Sequence, residues 1–416
     1  MQQLTLAPAQ ALTAATLAGT PCYVYSQEVL EGQCRRLLSW PVPFGFKVRY
    51  AIKANPSRAL IRLIAAAGLD FDASSEYEAK RLLVYGIRGD RIQLTAQQLA
   101  SQHADELFAA GVRFNACSLR QVKEYASRFP GLELSLRVNP GFGSGGTRKT
   151  NVGGPGSAFG IWFEQMDEAI ALARSLGARL TRLHSHIGSG TDPDAWEQAA
   201  QLTLDWALKI PEVRSVNMGG GFKVARMPDE KGVDFDEVGR RIGKLLLRTA
   251  ESTGRRFDLE IEPGTFVAAN IGVLLARVDD LISTGTEGYT FVKLDTGMDA
   301  LTRPALYGAR HPIGFLAAGK GPLGPEQELV VVGHNCESGD LFTVEPGDVL
   351  APRRLPLPSI GDFAQLGGAG AYAAGMSLIN YNSFPQIPEV LIERGGEMRL
   401  VRRRQTLEQM LQNEVE

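Results

Sequence analysis

An alternation of strand-like and helix-like segments limits the fold of this chain more than any other feature. Short, apolar, β-prone runs recur along its first two thirds, and most are separated by amphipathic helical patterns. These runs lie at residues 48–52, 69–73, 92–95, 113–116, 132–138, 180–186, 213–218 and 258–261. Strands that alternate with helices form parallel sheets, so eight such units predict a closed (β/α)₈ barrel over residues 27–275. An open doubly wound sheet is the alternative.

The pattern changes after about residue 271. Short apolar runs are now divided by Gly, Pro and Asp, and they lie at 291–294, 329–332, 348–350, 389–392 and 398–401. Helical periodicity returns at 407–411. We therefore predict a mainly antiparallel β domain over 276–416, which the N-terminal segment 1–26 joins through a strand at 21–25.

A glycine-rich stretch at 140–158 fills the long gap between the fifth and sixth predicted strands. Loops of this length within a compact domain are commonly functional, so we interpret it as an active-site loop or lid. A disordered segment without a function is the alternative.

Charge and cysteine content exclude several classes of protein. The 44 basic and 46 acidic residues leave a net charge of -2, so no overall field attracts nucleic acid or an anionic membrane. The four cysteines have no metal-ligand spacing and no disulfide pattern, which suits a reducing compartment. No apolar run approaches the roughly 20 residues of a membrane span. We expect a cytoplasmic protein without a metal, a nucleic acid or a membrane partner.

Polar residues and glycines cluster where the predicted strands end. In a barrel, the carboxyl ends of all strands meet at one face, which carries the active site. The residues at these ends are Lys53, Asp72, Arg137 with Asn139, His184 with His186, Gly219 with Gly220 and Gly221, and Glu262 with Gly264.

Lys53 is the candidate for covalent chemistry. The strand at 48–52 leads directly to it, and Asn55 with Pro56 ends the strand. An amine that desolvation has deprotonated forms a Schiff base with a carbonyl compound or with pyridoxal phosphate. A surface lysine after a strand is the alternative.

The other strand-end residues have two interpretations each. Gly219, Gly220 and Gly221 could expose backbone N–H groups to a phosphate, or could form an ordinary turn. His184 and His186 share one face of a strand, so one could pack in the core while the other lies flat against an aromatic cofactor; a shared metal lacks a third ligand nearby. Glu262 could keep a pyridine nitrogen protonated, or could pair with a Lys or Arg.

Three motifs in the predicted β domain carry reactive or ligand-binding groups. Cys336 and Glu337 share a polar turn, which could be any exposed loop. Tyr372 follows a glycine-rich bend in which it could simply be half-buried. Arg303 and Tyr307 could together bind a carboxylate, or could be an exposed Arg beside a packed Tyr.

These motifs together resemble one family, the pyridoxal-phosphate decarboxylases of the alanine-racemase barrel type (fold type III). Within it, they are most similar to the bacterial diaminopimelate decarboxylases. The similarity runs nearly end to end through YAIKAN, RVNPGFG, RKTNVGG, HSHIGSG, GGGF, EPG, RPALYG, CESGD, GAYAAGMS, NYNS and RRRQTLEQML.

The resemblance implies a cofactor, pyridoxal 5'-phosphate, and a role for each matching residue. Lys53 would bind the cofactor covalently, His186 would stack on its ring, Glu262 would pair with its ring nitrogen, and Asp72 would lie near Lys53. The phosphate would be held by Ser189, Gly219, Gly220, Gly221 and Tyr372, and Gly264 would also contact the cofactor.

The resemblance also implies a homodimer with shared active sites. Cys336 would reach into the partner's barrel and protonate the carbanion that remains after CO₂ leaves, while Glu337 would meet the distal ammonium of the amino-acid substrate. Arg303 and Tyr307 would bind a distal carboxylate. The implied reaction is the decarboxylation of meso-diaminopimelate to L-lysine, a step of lysine biosynthesis.

Two predicted substrate-binding positions differ from the family pattern. Thr265 stands where these decarboxylases usually have the arginine of Glu-Pro-Gly-Arg, and Phe384 stands where they usually have the arginine of Asn-Ser-Arg-Pro. Losing the arginine at Thr265 could cost a charge-assisted hydrogen bond of about 1.5–3 kcal/mol. The alternative is therefore a paralogous decarboxylase whose substrate lacks a free distal carboxylate. An amino-acid racemase and a non-enzymatic cofactor-binding protein are further alternatives.

Overall fold

The computed structural model describes residues 2–98, 102–145, 151–319, 321–345, 347 and 349–415. The strands are β1 (Cys22–Ser26), β2 (Phe46–Ala51), β3 (Asp70–Ala73), β4 (Ile92–Leu94), β5 (Arg113–Ala116), β6 (Glu133–Asn139), β7 (Ile161–Trp162), β8 (Arg179–Ser185), β9 (Ser215–Asn217), β10 (Asp258–Ile261), β11 (Gly272–Ser283), β12 (Thr290–Leu294), β13 (Ile313–Leu316), β14 (Glu326–Val332), β15 (Val344–Glu345), β16 (Val349–Leu350), β17 (Arg353–Pro356), β18 (Phe363–Leu366), β19 (Glu389–Ile392) and β20 (Met398–Arg402).

The helices in the described residues are mostly short. They are α1 (Pro8–Ala18), α2 (Gln27–Leu38), α3 (Arg58–Ala66), α4 (Glu76–Val84), α5 (Ala104–Ala109), α6 (Leu119–Arg128), α7 (Met166–Ser175), α8 (Pro193–Leu208), α9 (Phe235–Thr253), α10 (Thr265–Ala268), α11 (Arg303–Tyr307) and α12 (Leu407–Leu411). Side chains cap several of them: the Ser26, Ser75 and Ser118 hydroxyls accept hydrogen bonds from backbone N–H groups in the first turn. None of the helices is both long and apolar enough to cross a membrane.

Eight parallel strands close into a barrel, as the sequence predicted. Their order around it is β2, β3, β4, β5, β6, β8, β9 and β10, and β10 pairs with β2 to complete the circle. The short β7 pairs with the end of β6 outside this circle. All eight predicted segments form barrel strands, and the bounds differ by at most a few residues at each end. The open doubly wound sheet is excluded.

The second sheet is mostly antiparallel and forms the β domain. Its main path runs β17, β14, β12, β11, β1, β19 and β20, while β18 pairs with both β11 and β13. The predicted strand at 21–25 is β1, and it does join this sheet. The predicted boundary between residues 275 and 276 falls within β11, whose whole length pairs with strands of this sheet.

An aromatic cluster lies behind the upper end of the barrel, the end at which the carboxyl ends of its strands meet. Trp196 stacks on Phe222 with ring centroids 4.5 Å apart, and Phe235 contacts Trp40 and Phe266 at 4.5 Å each. Phe222 follows the glycine triplet after β9, and Phe266 follows the turn after β10. Burying these rings therefore fixes the two loops that flank the predicted phosphate site.

Candidate active site

Lys53 lies at the upper end of the barrel, in a 3₁₀ turn (Ile52–Ala54) that directly follows β2. The residues on either side are buried, whereas Lys53 itself is exposed at the barrel mouth. Desolvation by the surrounding barrel lowers the pKa of Lys53, while the nearby Tyr372, Asp72 and Glu262 raise it, and the net pKa lies above its usual value. The desolvation that was expected to remove the proton is outweighed, and the amine is a cation.

Three side chains donate hydrogen bonds to the Glu262 carboxylate, just past β10. His184 Nε2 lies 2.9 Å from Oε2, and the amide nitrogens of Gln93 and Asn217 lie 2.5 and 2.6 Å from Oε1. Burial raises the pKa of Glu262, but its interaction with His184, which includes the hydrogen bond, lowers it, to about 2. Glu262 is therefore a buried, ionised carboxylate.

The partners of Glu262 differ from those that the sequence suggested. We considered a salt bridge to Lys or Arg, but the described partners are a histidine and two amides. A carboxylate only accepts hydrogen bonds, so His184 Nε2 carries the proton. Burial lowers the pKa of His184, which keeps the ring neutral, and its Nδ1 is buried with no hydrogen-bond partner. Of its two nitrogens, only Nε2 has a partner among the described residues.

His186 lies immediately after β8, beside the glycine triplet. A Cβ atom on Gly219 would lie 2.7 Å from Cβ of His186, and one on Gly221 would lie 3.2 Å from Cε1. Gly219 and Gly221 also have φ angles of 66° and 93°, which favour glycine. Burial and the charges of Arg137 and Lys53 lower the pKa of His186 well below its usual value, so the ring is neutral. A neutral ring thus lies against the largely buried backbone of the glycine triplet.

Asp72, in β3, is the second carboxyl group near Lys53. It is buried, and its Oδ1 has no hydrogen-bond partner. Burial and the charge of Glu262 raise the pKa of Asp72 to about 8, although Lys53 opposes this shift. Of the two carboxyl groups, Glu262 therefore ionises more readily.

Tyr372 reaches the barrel mouth from the β domain. Its backbone N–H donates to the Ala54 carbonyl at 2.7 Å, and the Asn55 side chain donates to the Gly370 carbonyl at 2.9 Å. A Cβ atom on Gly264 would lie 3.4 Å from the Tyr372 hydroxyl. These contacts bring Gly264 and Tyr372 together beside the turn that holds Lys53.

Asn139 anchors the glycine-rich loop at the end of β6. Its side-chain oxygen accepts hydrogen bonds from the N–H groups of Gly154, at 2.8 Å, and Gly141, at 3.2 Å. Ser144 N–H donates to the Ile187 carbonyl at 2.8 Å, which places the loop against the segment that contains the half-buried Ser189. Residues 146–150, with part of the RKTNVGG motif, lie outside the described residues, and movement of 140–158 as a lid stays a prediction.

Cys336 and Glu337 lie on an exposed turn after β14. The Cys336 N–H donates to the side-chain oxygen of Asn382 at 2.8 Å, and the Tyr381 hydroxyl donates to Glu337 at 3.3 Å. All four cysteines are free, and Cys336 alone among them is exposed. The turn is ordered by its own contacts while its thiol and carboxylate face outward.

The four remaining predicted substrate-binding residues lie in three places. Arg303 begins α11, and its guanidinium lies 5.6 Å from the ring centroid of Tyr307. Thr265 begins α10, directly after Gly264. Phe384 lies in the β domain, where its ring stacks on His334 with a centroid distance of 3.6 Å.

Comparison with known proteins identifies the family. Residues 32–269 match the family model for the pyridoxal binding domain of pyridoxal-dependent decarboxylases. The chain belongs to this family. It is 37% identical to the diaminopimelate decarboxylase of Streptomyces coelicolor, over 97% of this chain and 91% of the relative. It is 35% identical to that of Escherichia coli K12, over 94% and 93%. A crystal structure of a diaminopimelate decarboxylase, 35% identical, superposes with a TM-score of 0.90 over 97% of this chain and 95% of that one.

The upper end of the barrel fits the cofactor of this decarboxylase family, pyridoxal phosphate. It offers an open amine at Lys53, a buried anion at Glu262 and a turn at Gly219, Gly220 and Gly221 where backbone lies unusually close to its neighbours. A Cβ atom on Gly220 would lie 2.2 Å from the Glu262 carbonyl oxygen, so only glycine fits there. Among the described residues there is no group of three or more His, Cys, Asp or Glu that could hold a metal ion.

Sequence reasoning missed several residues at this end of the decarboxylase barrel. Gln93 and Asn217 bind Glu262, and Arg226 lies buried beside the Tyr372 loop. One signal could have identified Gln93 and Asn217, because each is a polar amide residue within a short barrel strand that also carries apolar residues. Arg226 gave none, because it follows the glycine triplet in what looks like an ordinary loop.

Proposed function

We propose that this decarboxylase acts on meso-diaminopimelate and releases L-lysine and CO₂. One observation carries the proposal: Lys53, Glu262 and the glycine triplet share one end of the barrel, in a chain that matches diaminopimelate decarboxylases along nearly its whole length. Its location in the cytoplasm stays a prediction.

We assign to the chain's own residues the task of holding the cofactor. The Lys53 amine would attach it, and the backbone of Gly219, Gly220 and Gly221 would bind its phosphate together with Ser189, Gly264 and Tyr372. The neutral ring of His186 would lie against the cofactor ring. Asp72 would stand beside Lys53.

The bound cofactor supplies an electron sink for the pair of electrons that CO₂ leaves behind. Glu262 would keep a proton on the cofactor's ring nitrogen, because an ionised carboxylate stabilises a neighbouring cation. Its three donors hold that carboxylate in place and keep it ionised. The substrate's α-carbon then needs a proton, and Cys336 of the partner subunit would supply it.

Two sites shared across a homodimer would explain why the Cys336 turn is exposed. Glu337 of the partner subunit would then bind the substrate's distal ammonium. Mixing Lys53→Ala with Cys336→Ala tests this sharing, because a hybrid dimer has one site that carries neither substitution. We expect a mixture of two inactive variants to regain up to about a quarter of wild-type activity after subunit exchange. No regain, with exchange demonstrated, would place both residues in the same chain's site.

The substrate is tested by measuring CO₂ release from meso-diaminopimelate by the pyridoxal-phosphate-loaded protein, with Lys53→Ala as the blank. Release with L-lysine as the product supports the proposal. Release only from amino acids without a free distal carboxylate would favour the paralogue, for which Thr265 and the Phe384–His334 stack are the supporting observations. Inversion of the α-carbon without CO₂ would indicate a racemase, and neither reaction from a yellow protein would indicate cofactor binding alone.

A further inference from the structure

Unfavourable backbone conformations are concentrated beside the turn that carries Cys336. Among the described residues, four residues other than glycine have positive φ angles, and one of them is Tyr372 at the barrel mouth. The other three lie within four consecutive positions: Asn380 (φ 64°), Asn382 (48°) and Ser383 (60°). Residues with a side chain rarely adopt this conformation, and it persists where surrounding contacts impose it, commonly at functional sites. Segment 380–384 is therefore held in a shape that its backbone does not favour.

Asn382 binds the turn from this segment. Its side-chain oxygen accepts the Cys336 N–H at 2.8 Å. Its φ of 48° and ψ of 26° are left-handed, a conformation that glycine adopts readily and that asparagine tolerates better than most other residues. Glycine would thus satisfy the backbone at this position, but it could not accept the hydrogen bond. Asn382 combines the conformation that the segment requires with an acceptor for the backbone of Cys336.

Phe384 contacts the other side of the same turn. Its ring stacks on His334, two residues before Cys336, with ring centroids 3.6 Å apart and planes inclined by 10°. His334 Nε2 lies 3.0 Å from Oδ1 of Asp299 and carries the proton, since a carboxylate only accepts hydrogen bonds. The Asp299 carbonyl oxygen also accepts the Leu378 N–H at 3.0 Å. Asp299 therefore connects the turn with the chain that leads to Phe384.

The turn and the segment are each anchored to other parts of the β domain. At the base of the turn, the Asn335 side-chain amide donates to Asp299 and to Asp340 at 2.9 Å each. In the segment, the Asn380 side-chain amide donates to Gln405 Oε1 at 2.7 Å. Because both elements are fixed from outside, the contacts between them determine how the turn is oriented.

We propose that Asn382 and Phe384 are positioning residues, which hold the turn so that the Cys336 thiol is presented in one orientation for proton transfer. This inference rests on the proposed function, in which that thiol supplies the proton that replaces CO₂ on the substrate's α-carbon. Asn382 acts through the Cys336 backbone, and Phe384 acts through His334. Phe384 thus has a role that needs no contact with the substrate.

The first experiment measures the reactivity of the thiol without turnover. Cys336 alone among the four cysteines is exposed, so alkylation of the cofactor-loaded protein by iodoacetamide reports on this turn. Asn382→Gly keeps the left-handed backbone and removes the acceptor. We expect it to raise the alkylation rate of Cys336 by roughly threefold or more, because a turn that is no longer held opens more often. Asn382→Asp keeps the acceptor and should not show this increase.

The second experiment follows the proton. In D₂O, decarboxylation of meso-diaminopimelate places one deuterium on the carbon that loses CO₂, and a donor in one orientation delivers it to one face of that carbon. Asn382→Gly and Phe384→Leu should reduce the stereochemical purity of the deuterated lysine, measured by NMR. Both should also lower kcat by roughly tenfold, with a smaller change in KM. Phe384→Tyr keeps a ring that can stack and should recover most of the loss.

Ser383→Gly is the matched control. Ser383 has a φ of 60° in the same segment, but it is exposed, and its side chain forms no hydrogen bond within the part of the chain that the structure describes. We expect wild-type alkylation and a wild-type kcat. The same changes as in Asn382→Gly would overturn the role of the Asn382 hydrogen bond. The thermal midpoint is measured as well, because a merely structural role of Asn382 would lower stability and leave the reactivity of Cys336 unchanged.

The two experiments separate failure of this inference from failure of the proposed function. An unchanged alkylation rate in Asn382→Gly would overturn the positioning role. A raised rate with wild-type kcat and wild-type stereochemistry would overturn its link to proton transfer. A raised rate in a protein that does not decarboxylate meso-diaminopimelate would refute the proposed function and leave the positioning of Cys336 standing.

Discussion

The two ends of the barrel interior handle buried charge in opposite ways. Glu260 in β10 faces the lower end, where Arg49 donates to it from Nε at 2.7 Å and from Nη2 at 3.1 Å. Glu262, two residues further on, faces the upper end and is bound by a neutral histidine and two amides. Both carboxylates are buried and ionised. One is compensated by a cation of the protein, and the other is left with its charge for a ligand.

This contrast between the two ends separates buried polar groups that stabilise the fold from those that serve function. At the lower end, Arg182 approaches Glu260 at 3.8 Å and Arg49 approaches Asp70 at 3.6 Å, so opposite charges compensate each other. At the upper end, buried atoms of Asp72, His184 and His186 have no hydrogen-bond partner in the part of the chain that the structure describes. Gln93 joins the two ends, because it donates to Glu262 and accepts from Arg182 at 2.6 Å.

The largest expected effect is that of Lys53→Ala on activity. Removing the amine should lower CO₂ release by more than about 10³-fold, because covalent attachment of the cofactor is lost. The urea midpoint should stay near that of the wild type, because Lys53 forms no ion pair with any residue that the structure describes. Lys47→Ala is the control, since Lys47 is exposed at the opposite end of the same strand, β2. Activity of Lys53→Ala within tenfold of the wild type would contradict the assignment.

Arg49→Met should show the reverse pattern. Arg49 is fully buried, and removing it leaves Glu260 without its closest cation. We expect the free energy of unfolding to fall by about 3–5 kcal/mol, as when one partner of a buried pair is removed. The kcat at a temperature where the variant is folded should stay near wild type. A stable variant with low kcat would show that the lower end takes part in the chemistry.

Lowering the pH from 4.5 towards 2 should reduce the contribution of Glu260, at the lower end, to the free energy of unfolding. Arg49 and Arg182 outweigh the burial of Glu260 and lower its pKa from 4.5 to about 2. Its contribution to stability is therefore complete above pH 4.5 and is lost as the pH falls from 4.5 towards 2, by up to about 3 kcal/mol. Urea unfolding of the wild type and Glu260→Gln over this range should converge as the pH falls. Parallel curves would mean that Glu260 is not the group that titrates.

Gln93→Leu should have the smallest effect of these substitutions, and it should affect both ends of the barrel interior. The substitution leaves Glu262 with one donor fewer and Arg182 with one acceptor fewer. We expect a loss of about 1–3 kcal/mol in unfolding free energy and a fall in kcat of about tenfold. Both quantities come from the same purified variant. A change in only one of them would show that Gln93 does not couple the two ends.

The barrel could be predicted from the sequence because its signals are local. Each of the eight strands is a short apolar run, and residues such as Lys53 and Glu262 lie at or next to the ends of such runs. Helix α1 and strand β11 were not predicted, since neither has a clear period of its own. The partners of Glu262 could not be predicted either, because Gln93 lies 169 residues away in the chain. Arg226 becomes notable only when its burial beside the Tyr372 loop is seen in three dimensions.

The most direct test of this account compares Glu262→Gln with Glu260→Gln, two isosteric changes two residues apart. Both kcat for CO₂ release and the free energy of unfolding are measured for each. We predict that Glu262→Gln lowers kcat by about 10²-fold or more with little loss of stability, while Glu260→Gln lowers stability and leaves kcat nearly unchanged. Equal losses of activity in the two variants, or the reverse assignment, would contradict the division of the barrel into a structural and a catalytic end.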